Sequence, residues 1–175
     1  MAVIENALHL TPRLRSRIGG ALLLSLVVTV GLLVLQEQRI PIADEYFYLR
    51  HGLAIHETGT YGEMQPDGTV LPGLAAPLCP ALLAGAMALD ADFADKAACW
   101  VQAAATDAAV CGTGFGLAGV ASAALMGLAA GLIYLAGVLL LGSHGAGLLA
   151  AGIWLASGVP GEFSEALLTE AVTVP

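Results

Sequence analysis

From residue 108 to residue 161 the chain carries no Asp, Glu, Lys or Arg, and only His144 could bear a charge near neutral pH. A stretch of about 54 residues is too long for one membrane helix, which needs about 20, and fits two joined by a tight turn. Gly142-Ser143-His144-Gly145 supplies that turn. One span is expected over 115–141 and the next over 144–159, starting between His144 and Ala146. Gly119, Ala123, Gly127 and Gly131 recur every fourth residue. They share one helix face and would let another helix approach closely, unless they only reflect a chain rich in Gly and Ala.

A second apolar run covers 18–35, just after Arg13, Arg15 and Arg17. It is long for the core of a signal peptide, and no convincing small-residue cleavage site follows, so a retained anchor is the better reading. The arginines then mark the cytoplasmic side and the chain after residue 35 lies outside. Composition agrees: 58% of residues are hydrophobic and 11% charged, against about a quarter charged in soluble domains. A net charge of −8 with only 6 Lys and Arg excludes nucleic acid as a partner, because phosphate binding needs a basic surface.

The expected fold class is an all-α integral membrane protein. It has a cytoplasmic leader over 1–17, three transmembrane helices (18–35, 115–141 and 144–159), a large extracytoplasmic loop over 36–114 with juxtamembrane helices, and an extracytoplasmic tail over 160–175. Turn signals in the loop are Gly59-Thr60-Tyr61-Gly62 and Pro66-Asp67-Gly68-Thr69. The segment 74–89 is apolar but short, with Pro77 and Pro80 in its first turns. An interfacial helix suits it better than a span; a span there would invert everything that follows.

Asp44 and Glu45 stand just beyond the first span. If 44–57 is a helix, Asp44 suits its N-terminus. At roughly 100° per residue, Asp44, Tyr48 and His51 then share one face and Tyr46, Leu49 and Leu53 the other. Glu45 falls to the side, near His56. By periodicity alone this is equally a capping acid on a solvated interfacial helix. No HExxH, CxxC or P-loop string is present. His144 is expected to be structural. Cys99 and Cys111 could pair in an oxidising compartment, or remain free apolar thiols along with Cys79.

The loop as a whole carries a more specific pattern. Ala43-Asp44-Glu45-Tyr46-Phe47-Tyr48 is followed by Gly59-Thr60-Tyr61-Gly62, then Pro66-Asp67-Gly68-Thr69, then Pro72-Gly73-Leu74-Ala75-Ala76-Pro77-Leu78. It resembles the first extracytoplasmic loop of GT-C-type glycosyltransferases, which use polyprenyl-phosphate-linked sugars and include the dolichyl-phosphate-mannose protein mannosyltransferase-like family. Leu167-Leu168-Thr169-Glu170 resembles a later loop of that family. The family's Pro-Gly-Tyr-Pro is here Pro72-Gly73-Leu74-Ala75, and the stretch 90–114 is longer than usual. Members have many more spans, so the chain corresponds to their N-terminal portion and is expected to be an incomplete enzyme.

The resemblance implies transfer of a sugar from a polyprenyl phosphate to an acceptor hydroxyl, at the outer face of a bacterial plasma membrane. Such transfer needs a base for the acceptor and positive charge for the leaving phosphate. Asp44 matches the family's catalytic base. Glu45 would support it, or join Asp44 in holding a divalent ion, Mg²⁺ or Mn²⁺, since such ions favour carboxylate oxygens. Tyr48, His51, Tyr61 and Glu170 are the substrate-binding candidates. The expected partners are membrane lipid, the polyprenyl-phosphate sugar and further helices. The alternative is a small non-catalytic membrane protein, or a pseudo-enzyme, acting through helix–helix assembly.

Overall fold

Thr11 and Pro12 start the first helix, α1 (Pro12–Leu35). Thr11 is the N-cap, its hydroxyl accepting from the Leu14 amide, and Pro12 opens the first turn. Both residue types favour those positions, because the cap satisfies a free amide and proline has none to lose. Arg13, Arg15 and Arg17 therefore lie within the first turns of the helix, which begins six residues ahead of the apolar run at 18. The computed structural model describes residues 11–36, 38–42, 44–73, 77–103 and 108–158, apart from the side chain of Asp44.

The other elements are α2 (Asp44–Thr58), β1 (Gly62–Met64), β2 (Val70–Pro72), α3 (Leu78–Leu89), α4 (Ala91–Gln102), a 3₁₀ turn (Ala108–Cys111), α5 (Gly116–Leu141) and α6 (His144–Ala156). The fold is mostly helical. The strand pair corrects the all-α expectation. β1 and β2 are antiparallel, with Gly62 opposite Pro72 and Met64 opposite Val70. Pro66-Asp67-Gly68 makes the turn. Gly68 takes a positive φ of 83° and donates to the Gln65 carbonyl, a conformation that glycine adopts without steric cost. The Thr69 amide and hydroxyl both donate to Asp67 and hold its carboxyl below the usual range.

α1 and α5 pack antiparallel along their lengths. Gly119 meets Gln36, Gly127 meets Ser25 and Thr29, Gly131 meets Ala21, and Tyr134 lies over Gly20. A Cβ at Gly127 would stand 2.5 Å from the Ser25 carbonyl oxygen, and one at Gly131 2.7 Å from that of Ala21. The small-residue stripe is thus the seat of α1 in the same chain. Ser25 and Thr29 turn their hydroxyls back to the carbonyls of Ala21 and Ser25, so the close approach strands no hydroxyl. α6 folds back on α5 through Gly142, which is left-handed (φ 69°) and donates to the Val138 carbonyl. Gly137 and Gly147 abut across this turn.

Two helices, α1 and α5, are long and apolar enough to cross a membrane. At 1.5 Å per residue they span roughly 36 and 39 Å. Their outward residues are large and apolar; Leu23, Leu26 and Val34 on α1 and Leu132 and Leu140 on α5 are all exposed. A helix buried in a soluble core would hide such residues. The third span expected over 144–159 is not met at full length. α6 ends at Ala156 after 13 residues, roughly 20 Å, and residues 159 onward lie outside the described set. α3 has 12 residues and is likewise short of a span.

α2, the hairpin, α3 and α4 form a lobe around Leu49, Leu83, Met87, Phe93 and Trp100, all at most 1% exposed. Gly52 lets α2 lie against Leu83 of α3. Cys99 and Cys111 are joined by a disulfide, with Cα atoms 5.6 Å apart, and the indole of Trp100 donates to the Gly112 carbonyl beside it. Asp90 joins the lobe to the long helices. One carboxylate oxygen accepts from the Phe93 amide at 3.1 Å, capping α4. The other accepts from the Leu117 amide at 2.8 Å, in the first turn of α5.

Candidate functional site

α2 begins where the chain leaves α1, and its entry is fixed by one ion pair. The two terminal nitrogens of Arg39 donate to the two oxygens of Glu45 at 2.7 and 2.8 Å. The Ile42 amide also donates to Glu45, at 2.8 Å, and the Glu45 amide donates back to the Ile42 carbonyl. The bond to the Ile42 amide is the glutamate half of a capping box, and the return bond to the Ile42 backbone carbonyl closes a turn ahead of the helix. The Arg39 guanidinium also sits 5.1 Å from the centre of the Phe115 ring. The Arg39 carbonyl accepts from the Gly114 amide. Glu45 is 5% exposed. Glu45 and His56 share a side of α2, but eleven residues of helix set them roughly 16 Å apart along its axis.

This geometry alters the part Glu45 can play. Both its oxygens are held by a cation, so a divalent ion shared with Asp44 would have to displace or face the guanidinium. Among the described residues no group of three His, Cys, Asp or Glu could hold a metal ion. Asp44 opens α2, where the first-turn amides favour an acid. Glu170 lies outside the described residues.

His51 departs furthest from expectation. The wheel reading places it on an open face with Asp44 and Tyr48, yet it is 0% exposed. α2 has no open face there: α3 covers one side and the hairpin another. The His51 ring shares its Nδ1 with the Phe47 carbonyl at 2.8 Å. It lies 4.5 Å from the Phe47 ring and 5.8 Å from that of Tyr61. Tyr48 meets the other side of Phe47 edge-on, at 5.6 Å. Tyr61 reaches in because Gly73 has no Cβ to block its ring. The three aromatic candidates Tyr48, His51 and Tyr61 thus form one row through Phe47, which the sequence reading did not single out.

Three buried polar atoms on α2 have no hydrogen-bond partner: the Tyr46 hydroxyl, Nε of Arg50 and Nε2 of His51. Such atoms are rare in folded proteins and need a water, a ligand or a functional reason. Burial, and then the neighbouring Glu45 charge, raise the Tyr46 phenol above its ordinary value, so it stays a donor at neutral pH. Arg50 is tied through a terminal nitrogen to Glu63 of β1 at 3.0 Å. Lys96 pairs with Asp92. All three cations of the lobe are therefore in ion pairs, and none is left over for a phosphate.

An apolar groove of about 620 Å³ lies between α3 and α5, lined by Leu82, Gly85, Leu89, Ala121, Leu125 and Leu128 among others. It is of ligand size. The fold and site define a helical protein with two helices able to cross a membrane, carrying a disulfide-closed lobe. The chain matches no protein-family model, no curated protein and no solved structure.

Proposed function

We propose that the chain is a membrane glycosyltransferase module of the GT-C type, taking a sugar from a polyprenyl-phosphate donor at the outer membrane face. The observation that carries this reading is the set of buried, unpartnered polar atoms on α2, within two turns of Asp44. A polar ligand would satisfy them. Tyr48 and Tyr61 at the two ends of the aromatic row, which keep some exposure, offer flat faces for a sugar ring. The apolar groove between α3 and α5 suits a prenyl chain.

In this reading Asp44 takes the proton of the acceptor hydroxyl. The acceptor oxygen bonds to the anomeric carbon as the bond from that carbon to the phosphate oxygen breaks, and polyprenyl phosphate leaves with the electron pair. Glu45 acts as a positioning residue: its ion pair with Arg39 fixes the start of α2 beside Phe115 and the end of α1. Positive charge for the leaving phosphate comes from outside the lobe, whose own cations are paired. The module is oriented with Arg13, Arg15 and Arg17 cytoplasmic and the lobe outside. A disulfide favours the same side, since thiols stay reduced in the cytosol.

The test is donor turnover by membranes expressing the chain, given a polyprenyl-phosphate-linked sugar and read as released polyprenyl phosphate. Release above that of empty membranes, lost in Asp44→Asn with the lobe still folded, supports the reading. Turnover unchanged in Asp44→Asn removes Asp44 as base. The absence of both turnover and saturable donor binding by the purified chain overturns the assignment.

A further inference from the structure

At the far end of α1 from Glu45 the chain has a second polar feature. Pro12, Arg13, Ser16 and Arg17 of α1 line a groove of about 480 Å³ with Gly142 and His144 of the α5–α6 turn. The spacing of Arg13, Ser16 and Arg17 sets them on one face of α1. Arg15 points elsewhere and does not line the groove. Unlike the cations of the lobe, Arg13 and Arg17 make no ion pair among the described residues, and the described lining has no carboxylate.

The opposite wall adds further donors. α6 starts at His144, and its N-cap Ser143 makes no side-chain capping bond, so amides of its first turn have no side-chain acceptor. The Nδ1 of His144 is 2.6 Å from the Tyr134 hydroxyl, which fixes the ring at the edge of the groove. Tyr134 is itself buried against Gly20 of α1. Two guanidinium groups, a hydroxyl and an uncapped helix start surround one space, with no acid among the described lining residues. That is the donor set of an anion site. Its place at the end of a pair of membrane-length helices is where basic pockets meet lipid headgroups.

We propose that this groove binds a phosphate-bearing anion, either the headgroup of an anionic phospholipid or a soluble phosphate compound. Arg13 and Arg17 make the charged contacts, and Ser16 and the first turn of α6 complete them.

The test uses the full chain in nanodiscs with equal parts phosphatidylcholine and phosphatidylglycerol, followed by native mass spectrometry of retained lipid. Two guanidinium contacts predict at least about tenfold preference for phosphatidylglycerol. The preference should vanish in Arg13→Gln/Arg17→Gln and persist in Arg15→Gln, with helix content unchanged in each. Inorganic phosphate at millimolar concentration separates the sources. If it displaces the lipid or raises the melting temperature of wild type alone, the groove takes free phosphate; if it does neither while the lipid preference holds, the lipid is the ligand. Equal retention of the two lipids with no response to phosphate overturns the site. An equal loss in Arg15→Gln also overturns it, in favour of diffuse surface charge.

Discussion

Arg39 grips both carboxylate oxygens of Glu45, at 2.7 and 2.8 Å, where α2 begins. Arg39 also stacks on Phe115, whose ring meets Trp100 edge-on at 5.9 Å. One ion pair thus ties the exit of α1, the start of α2 and the start of α5 to the centre of the lobe. Removing one partner leaves the other charge half-buried without its countercharge. Glu45→Gln should lower stability by about 2–4 kcal/mol. Thermal unfolding in detergent, followed by tryptophan fluorescence, reads this directly. An unchanged midpoint would show that the pair anchors nothing.

Asp90 should make the protein acid-sensitive. Bonds from the Leu117 amide, then from the Phe93 amide, hold its carboxyl below the ordinary value of 3.8. The folded state therefore binds this proton less readily than the unfolded chain. The stabilisation is present above the unfolded value and is lost as pH falls through the folded one. Below about pH 4 the wild type should lose stability more steeply than Asp90→Asn, whose side chain cannot titrate. At neutral pH, Asp90→Ala should cost about 1–2 kcal/mol through the lost cap, and more if the Leu117 amide finds no other acceptor. Unfolding midpoints across pH 3–7 test both statements.

Cysteine chemistry should divide cleanly in two. Cys99 and Cys111 are paired, and Cys79 is 3% exposed with its thiol pushed up to about 11 by burial. Native protein should resist maleimide at all three positions. Denaturation should expose one thiol, and denaturation with reductant three. Cys99→Ser should cost roughly 2–3 kcal/mol, the range for a short closed loop. Modification of Cys99 or Cys111 in freshly isolated, unreduced membranes would place the lobe in a reducing compartment.

Gly127 is where α1 and α5 come closest to backbone contact. A side chain there meets the Ser25 carbonyl and the Thr29 hydroxyl, and the carbonyl cannot turn aside as a side chain would. Gly127→Val should destabilise the helix pair by about 1–3 kcal/mol. Gly152→Ala, at a position with nothing within 4 Å, should leave it unchanged.

Much of the scaffold was legible because membrane helices are written in local composition. The apolar runs, the Gly142 turn and the four-residue stripe all lie within short windows. The start of α1 is written locally too, in the Thr11-Pro12 cap six residues ahead of the apolar run. The β-hairpin announced itself only as a turn, since three-residue strands are too short to show alternation. The site was less readable. A helical wheel gives the angle of His51 around α2 but not what stands on that side. The hairpin and α3 fill it, from residues up to some thirty positions away. Arg39 precedes Glu45 by only six residues, yet nothing in that spacing makes them partners until the Glu45 amide closes back on the Ile42 carbonyl.

The sequence by itself determined that two long apolar helices form and that a more polar segment lies between them, because hydrophobic length and turn chemistry are local quantities. Only the tertiary structure decided which groups remain available for chemistry. It joined Glu45 to Arg39 and buried His51 in an aromatic row. It seated α1 on the glycine stripe and left Arg13 and Arg17 without an ion pair among the described residues, across from His144. Those outcomes depend on contacts between distant segments, where a charge finds a partner or a face finds a cover only after the chain has packed.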